Sequence, residues 1–171
     1  EEETLSFDTG YEQSLWGDAL KADVTFFQID ADQTIVFDFA NLTHLNGGGG
    51  KTQGIESSLT FVPCENLRLR TAYTNLDKAE ERDGIRRQRT PRNWFALGAA
   101  GTYQDLTLSA ELRYRDSQEI EFFGIEGRYD EPAATLLDAS LTYRGLSPVD
   151  LYLRADNIFD ENYTESGFRM P

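Results

Sequence analysis

At 171 residues the chain is long enough for a folded domain, but its 39% hydrophobic and 12% aromatic content does not describe an ordinary water-soluble core. A net charge of −14 leaves no Lys/Arg surplus to neutralise phosphates and argues against nucleic-acid binding, while one Cys and one His exclude an intrachain disulfide and a zinc-ligand spacing. No apolar run reaches the length of a membrane-spanning helix, and Glu1–Glu3 is unlike a signal peptide; spanning by strands is not excluded.

Period-2 alternation of apolar and polar residues recurs along the whole chain. Leu5, Phe7, Thr9, Tyr11 and Leu15 alternate with Ser6, Asp8, Glu12 and Ser14, followed by a short link at Trp16–Ala19. Leu20–Phe39 changes phase: Ala22, Val24 and Phe26 hold one face, Ile35, Phe37 and Phe39 the other. A bulge or turn near Asp30–Gln33 reconciles them. A long polar connection, Ala40–Gly50, leads to a strand in which Ile55, Leu59 and Phe61 oppose Glu56, Ser58 and Thr60. After a short link at Val62–Glu65, Leu67, Leu69, Thr71 and Tyr73 alternate with Arg68, Arg70 and Thr74.

The long connection Glu80–Pro91 precedes Trp94–Tyr103, which is apolar or small on both faces, with Gly98 and Gly101 suggesting curvature or a close approach. Gln104–Asp105 is short. Leu106–Arg115 is the clearest strand: Leu106, Leu108, Ala110, Leu112 and Tyr114 against Thr107, Ser109, Glu111, Arg113 and Arg115. A long link, Ile120–Ala133, is followed by Thr135–Arg144, a short link at Gly145–Pro148, and Val149–Phe159, where Val149, Leu151, Leu153 and Ala155 oppose Asp150, Tyr152, Arg154 and Asp156. From Asn162 onward the chain reads as a further long connection.

Short and long links therefore alternate, which in a meander puts the short ones at one rim and the long ones at the other. That is the outer-membrane pattern of short periplasmic turns and long extracellular loops. The expected fold is all-β: a partial transmembrane antiparallel β-barrel, a meander of about eight strands. Amphipathic strands also build soluble sandwiches and lipocalin-like barrels. Two features favour the membrane: ionised residues in mid-strand, Arg113 and Arg154, and aromatics near strand ends, Tyr103, Tyr114 and Tyr143.

Five segments, in order, resemble the TonB-dependent outer-membrane receptors: Gly10–Trp16 (GYEQSLW), Gly47–Thr60 (GGGGKTQGIESSLT), Tyr73–Asp77 (YTNLD), Pro91–Asn93 (PRN) and Asp150–Tyr163 (DLYLRADNIFDENY). The likeness spans essentially all of 1–171. It implies the C-terminal portion of a barrel of about 22 strands, enclosing an N-terminal plug that is not present in this sequence. It implies active uptake of a scarce nutrient, a ferric siderophore by preference, across the outer membrane of a Gram-negative bacterium. The implied partners are outer-membrane lipid and lipopolysaccharide, a small-molecule ligand such as a metal chelate, and an inner-membrane energy-coupling complex engaged through the N-terminal region. If the short turns are periplasmic, the strand Val149–Asn162 runs outward and one more strand is expected beyond Met170–Pro171. A passive porin and a soluble β-rich ligand-binding module are the competing functions.

Candidate ligand contacts in the long connections are His44, Asn46, Arg82, Arg86, Arg87, Arg89, Glu119, Glu121 and Glu126. The arginines suit an anionic chelate or a lipid phosphate, although hydrated loop charges need no ligand to explain them. Glu111, Arg113, Asp138, Arg144, Arg154 and Asp156 are expected to face the lumen and to satisfy one another across strands. No catalytic residues, metal site or cofactor are expected: the chain has no paired-carboxylate or triad pattern, His44 stands alone, and Cys64 at a short turn has no basic partner nearby in sequence. Gly47–Gly50 before Lys51–Thr52 lacks the separated glycines and helix of a phosphate loop, and reads as a flexible loop.

Overall fold

The structure, a computed structural model, describes residues 2–38, 41–81, 87, 90–120 and 129–163. Eleven strands form among these residues: β1 Glu3–Leu15, β2 Leu20–Asp38, β3 Thr43–Gly47, β4 Gly50–Cys64, β5 Leu67–Glu81, β6 Asn93–Tyr103, β7 Leu106–Arg115, β8 Gln118–Ile120, β9 Tyr129–Glu131, β10 Ala134–Leu146 and β11 Val149–Ala155. The main sheet is an antiparallel meander in the order β1-β2-β4-β5-β6-β7-β10-β11, with β3 on the far half of β2 and β8-β9 a separate hairpin. Eight long strands in sequence order match the expected meander. β1 and β11 are its two outer strands, each paired on one side among the described residues.

The short links are tight. Trp16, Gly17 and Asp18 all take positive φ, and the Ala19 amide donates to the Trp16 carbonyl at 3.3 Å. The phase change in β2 has the expected cause. Glu3 pairs with Gln33 and Thr4 with Ala31, so Asp32 is an extra residue that inverts the faces beyond it. A second bulge places Gln53 opposite Lys78 but Gly54 opposite Leu76, leaving Asp77 as the extra residue on β5.

Three expectations are corrected. Ala40–Gly50 is not one long loop: β3 pairs with Thr34–Asp38 and extends the β2 hairpin beyond the sheet. Nor is Gly47–Gly50 a slack segment. A Cβ on Gly49 would overlap the Ala31 carbonyl oxygen and one on Gly50 the Glu80 carbonyl oxygen, so the backbone passes too close to both neighbours for any side chain. Finally, the strand expected over Val149–Asn162 ends at Ala155. Asn157 and Asp160 take positive φ, and the Asn157 side chain closes a turn, accepting from the Glu161 amide at 3.0 Å and donating to the Glu161 carbonyl at 2.9 Å.

The sheet has almost no interior. Ala79, Ile120, Ala134 and Leu136 are the buried hydrophobic residues among those described, with Pro91 fully buried, and all lie toward the long-link end. Most of the large apolar strand side chains sit on one exposed face instead: Leu5 is 76% exposed, Phe7 58%, Leu108 56% and Leu153 70%. A soluble protein does not leave such a face to water.

That apolar band is oblique to the strands. Its midpoint falls near Gly10 on β1 and near Tyr152 on β11. Carried across the ladders, Gly10 aligns through Thr25, Glu56, Thr74, Trp94 and Arg115 with Ala134 on β10, whereas Tyr152 aligns with Thr142, eight residues further on. Eight residues at about 3.4 Å, over seven strand spacings of about 4.8 Å, give a strand tilt of about 39°. Membrane barrels tilt by about 35–45°. The sequence alternation and the ladder register therefore place one flat apolar belt around a tilted wall.

Candidate functional site

The face opposite the belt carries the polar chemistry, and the sheet curls so that this face encloses two recesses. The first, about 450 Å³, draws on β5 (Arg68, Arg70), β6 (Gly98, Ala100), β7 (Ser109, Glu111), β10 (Asp138, Ser140) and β11 (Arg154). Register explains its shape. Gly98 lies between Arg70 and Glu111, and Ala100 between Arg68 and Ser109, so β6 supplies a floor of small residues between charged walls. Every one of these positions lies within about three residues of the tilted midline on its strand. At about 2.6 Å of height per tilted residue, the recess sits within about 8 Å of mid-belt.

The second recess, also about 450 Å³, lies nearer the long-link end and includes Trp94, Arg113, Arg115, Leu136 and Tyr163. It is the more apolar of the two, with an aromatic edge and two guanidiniums. Arg113 lines this recess and Asp138 the first, so the 2.5 Å Arg113–Asp138 ion pair joins them.

The six charged strand residues singled out from sequence are brought together in part. Arg113 holds both Asp138 and Glu111, the latter at 3.4 Å. Asp138 also accepts the Asn157 amide at 2.8 Å, tying the turn after β11 to β10. Arg154 pairs with Asp156, which lies just past the end of β11, at 2.8 Å. Arg144 stands apart near the short-turn end, with Asp150 at 3.6 Å and the Thr107 hydroxyl at 3.3 Å.

Of the loop candidates, Arg82, Arg86, Arg89, Glu121 and Glu126 lie outside the described residues. His44 is exposed in β3 opposite Phe37, and Asn46 lies opposite Ile35. Glu119 is exposed in β8 opposite Asp130. Arg87 packs back on the sheet: its amide donates to the Ala79 carbonyl at 2.6 Å, and a guanidinium nitrogen lies 2.7 Å from where a Cβ on Gly50 would be. Sequence reading missed Arg68, Arg70, Trp94 and Arg115. Arg115 clasps the base of the β8-β9 hairpin, with Glu131 at 3.7 Å and the Pro132 carbonyl at 3.2 Å. The alternation that exposes Arg68 and Arg70 is legible, but the small residues facing them appear only once β5 and β6 are in register. Cys64 is an exposed free thiol at the short-turn end of β4.

The model of the TonB dependent receptor-like β-barrel family matches residues 1–158. The chain belongs to that family. The family is one of transporters rather than enzymes, and its members reside in the outer membrane. Solved receptors share the architecture. The ferric-catecholate import receptor Fiu of Escherichia coli K12 superposes at a TM-score of 0.74 with 20% identity, over 98% of this chain and 25% of Fiu. The ferripyoverdine receptor of Pseudomonas aeruginosa, bound to ferripyoverdine, gives 0.79 and 14%, over 95% and 24%. The P. aeruginosa ferric enterobactin receptor PfeA gives 0.76 and 20%, over 94% and 26%. The chain thus spans about a quarter of the length of the receptors it matches. In a TonB-dependent receptor barrel the apolar belt faces lipid, the recessed face lines the lumen, and the long links lie outside.

Proposed function

We propose that this chain forms the C-terminal wall of an outer-membrane receptor that takes up a ferric siderophore, coupled through the rest of that protein to the inner-membrane energy-transducing complex. The plug and the remaining strands of the barrel lie in other parts of the receptor. The observation that carries this reading is the family match over 1–158, joined to a lumenal face with two recesses stacked along the transport axis. The solved receptors that share its fold import or bind ferric catecholates, ferripyoverdine and ferric enterobactin, which supports the siderophore class.

In this reading the ligand first meets the outer links, with His44, Asn46, Arg82, Arg86, Arg87, Arg89, Glu119, Glu121 and Glu126 as contacts, and then the Trp94–Arg113–Arg115 recess at the lumen mouth. Guanidiniums beside an aromatic face suit an anionic, ring-bearing chelate. Glu111, Arg113, Asp138, Arg144, Arg154 and Asp156 form the lumen lining, their charges largely matched within the wall. Lipopolysaccharide and outer-membrane lipid surround the belt. Titrating the purified receptor with ferric catecholate and ferripyoverdine complexes, by tryptophan fluorescence, tests the reading. Saturable binding of one class, weakened by Arg115→Ala or Trp94→Ala, supports it. Absence of binding by any ferric siderophore, with free diffusion of small sugars through the reconstituted protein, would establish a passive porin instead.

A further inference from the structure

The strand lysines and arginines divide by face. Ladder partners share a face, so Lys21 on β2 and every arginine of β5, β7, β10 and β11 lies on the lumenal side. Lys51 on β4 and Lys78 on β5 are the exceptions among the described strands. Lys51 shares the lipid-facing side with Ile55, Leu59 and Phe61. Lys78 would point inward with Thr74 and Leu76, but the extra residue Asp77 inverts β5 there. Lys78 therefore comes out opposite Gln53, and Glu80 opposite Lys51. The two lysines are diagonal neighbours, about 7–8 Å apart along the wall. Their height follows from the tilt. The midline crosses β4 near Ser58 and β5 near Thr71, so both stand six to seven ladder steps above it. At about 2.6 Å per step that is about 17–18 Å from mid-belt, beyond an apolar half-height of about 12.5 Å and inside the headgroup layer. At the short-turn end the same side closes with Leu15, Leu20, Phe61, Leu67, Tyr103 and Leu106, and no described strand residue there is charged. Both lysines are half-buried, and neither holds a carboxylate within 4 Å among the described residues, although Asp30 and Glu80 flank Lys51 in register.

We propose that Lys51 and Lys78 form a docking site for the phosphate groups of an outer-leaflet glycolipid, the phosphorylated lipid of lipopolysaccharide. The proposal rests on the reading of this chain as outer-membrane wall with its long links outside. An ammonium is a compact point charge that meets phosphate oxygens from many directions. Two of them at headgroup depth on one rim, with an uncharged rim opposite, match a membrane whose outer leaflet carries the phosphorylated glycolipid. Asp30 and Glu80 temper that attraction, so the lysines act by position rather than by net charge. β4 and β5 lie between β2 and β6, so neither the plug inside nor further strands at the sheet's edges cover this surface in the complete receptor.

The test is native mass spectrometry of the complete receptor in detergent, titrated with bisphosphorylated lipid A and with the same lipid stripped of its phosphates. Wild type binds the phosphorylated lipid about tenfold tighter or more. Lys51→Gln/Lys78→Gln removes most of that preference, Lys51→Arg/Lys78→Arg keeps it, and Asp30→Asn/Glu80→Gln enlarges it. Arg68→Gln/Arg70→Gln, which removes the same charge from the lumenal side, leaves it unchanged. Equal binding of the two lipids by wild type, or a preference that survives Lys51→Gln/Lys78→Gln as well as it survives the lumenal pair, would overturn the proposal. The readings beneath it fail by other measurements: the orientation through labelling of Cys64 in intact cells, and uptake through iron transport, neither of which scores lipid preference.

Discussion

The oblique belt makes a quantitative prediction about where an arginine can be placed. Ala110 lies at the β7 midpoint on the lipid-facing side, Leu106 lies four residues below it on the same side, and Ser109 lies beside it on the lumenal side. At about 2.6 Å of height per residue, Leu106 is about 11 Å from mid-belt, close to the edge of an apolar band about 25 Å tall. Arginine at the bilayer midplane on the lipid face costs about 2–4 kcal/mol and near the interface about 0–1. Ala110→Arg should therefore destabilise by about 2–4 kcal/mol. Leu106→Arg should add only about 0–1 for the charge, on top of the lost leucine contacts. Ser109→Arg should cost about 1, mainly for its 2.7 Å hydrogen bond with Ser140. Guanidinium titration of the complete receptor in phospholipid vesicles measures all three. A Ser109→Arg cost equal to that of Ala110→Arg, or one larger at Leu106 than at Ala110, would refute the assignment of faces or the tilt.

Asp138→Ala removes the acceptor of both the Arg113 guanidinium and the Asn157 amide, for an expected loss of about 1–3 kcal/mol; amide exchange at 156–161 should accelerate while that of β7 is unchanged. Gly50→Val should prevent outer-membrane assembly, because its Cβ overlaps the Glu80 carbonyl, whereas Gly98→Ala should assemble normally; heat-modifiable migration of membrane extracts distinguishes the two. Cys64, exposed at the short-turn rim, should resist a membrane-impermeant maleimide in intact cells and react once the outer membrane is permeabilised. Labelling of intact cells would invert the topology.

Much of the wall is readable from the amino-acid order because a strand's side-chain period is fixed at two. Leu106–Arg115 shows both faces at once, and the phase change between Phe26 and Ile35 predicts the bulge later found at Asp32. The turn at Asn157–Asp160 is less visible: Val149 to Ala155 sets up an alternation, and Ile158–Phe159 are apolar enough to continue it. Asn157 was the available signal, since its side chain can close a turn on its own backbone. Gly47–Gly50 misled for a different reason. Glycine permits both slackness and close approach, and only the neighbouring carbonyls of Ala31 and Glu80 decide between them. The recess that Arg68 and Arg70 line depends on which residues of β6 face them, a property of register between strands rather than of either strand alone.

The central claim is energised uptake of a ferric siderophore, and radio-iron transport into cells tests it most directly. Cells carrying the receptor should accumulate iron from its ferric siderophore at low concentration, saturably, and lose that accumulation when the inner-membrane gradient is collapsed although surface binding persists. Accumulation that is linear in concentration and indifferent to the gradient would contradict the account.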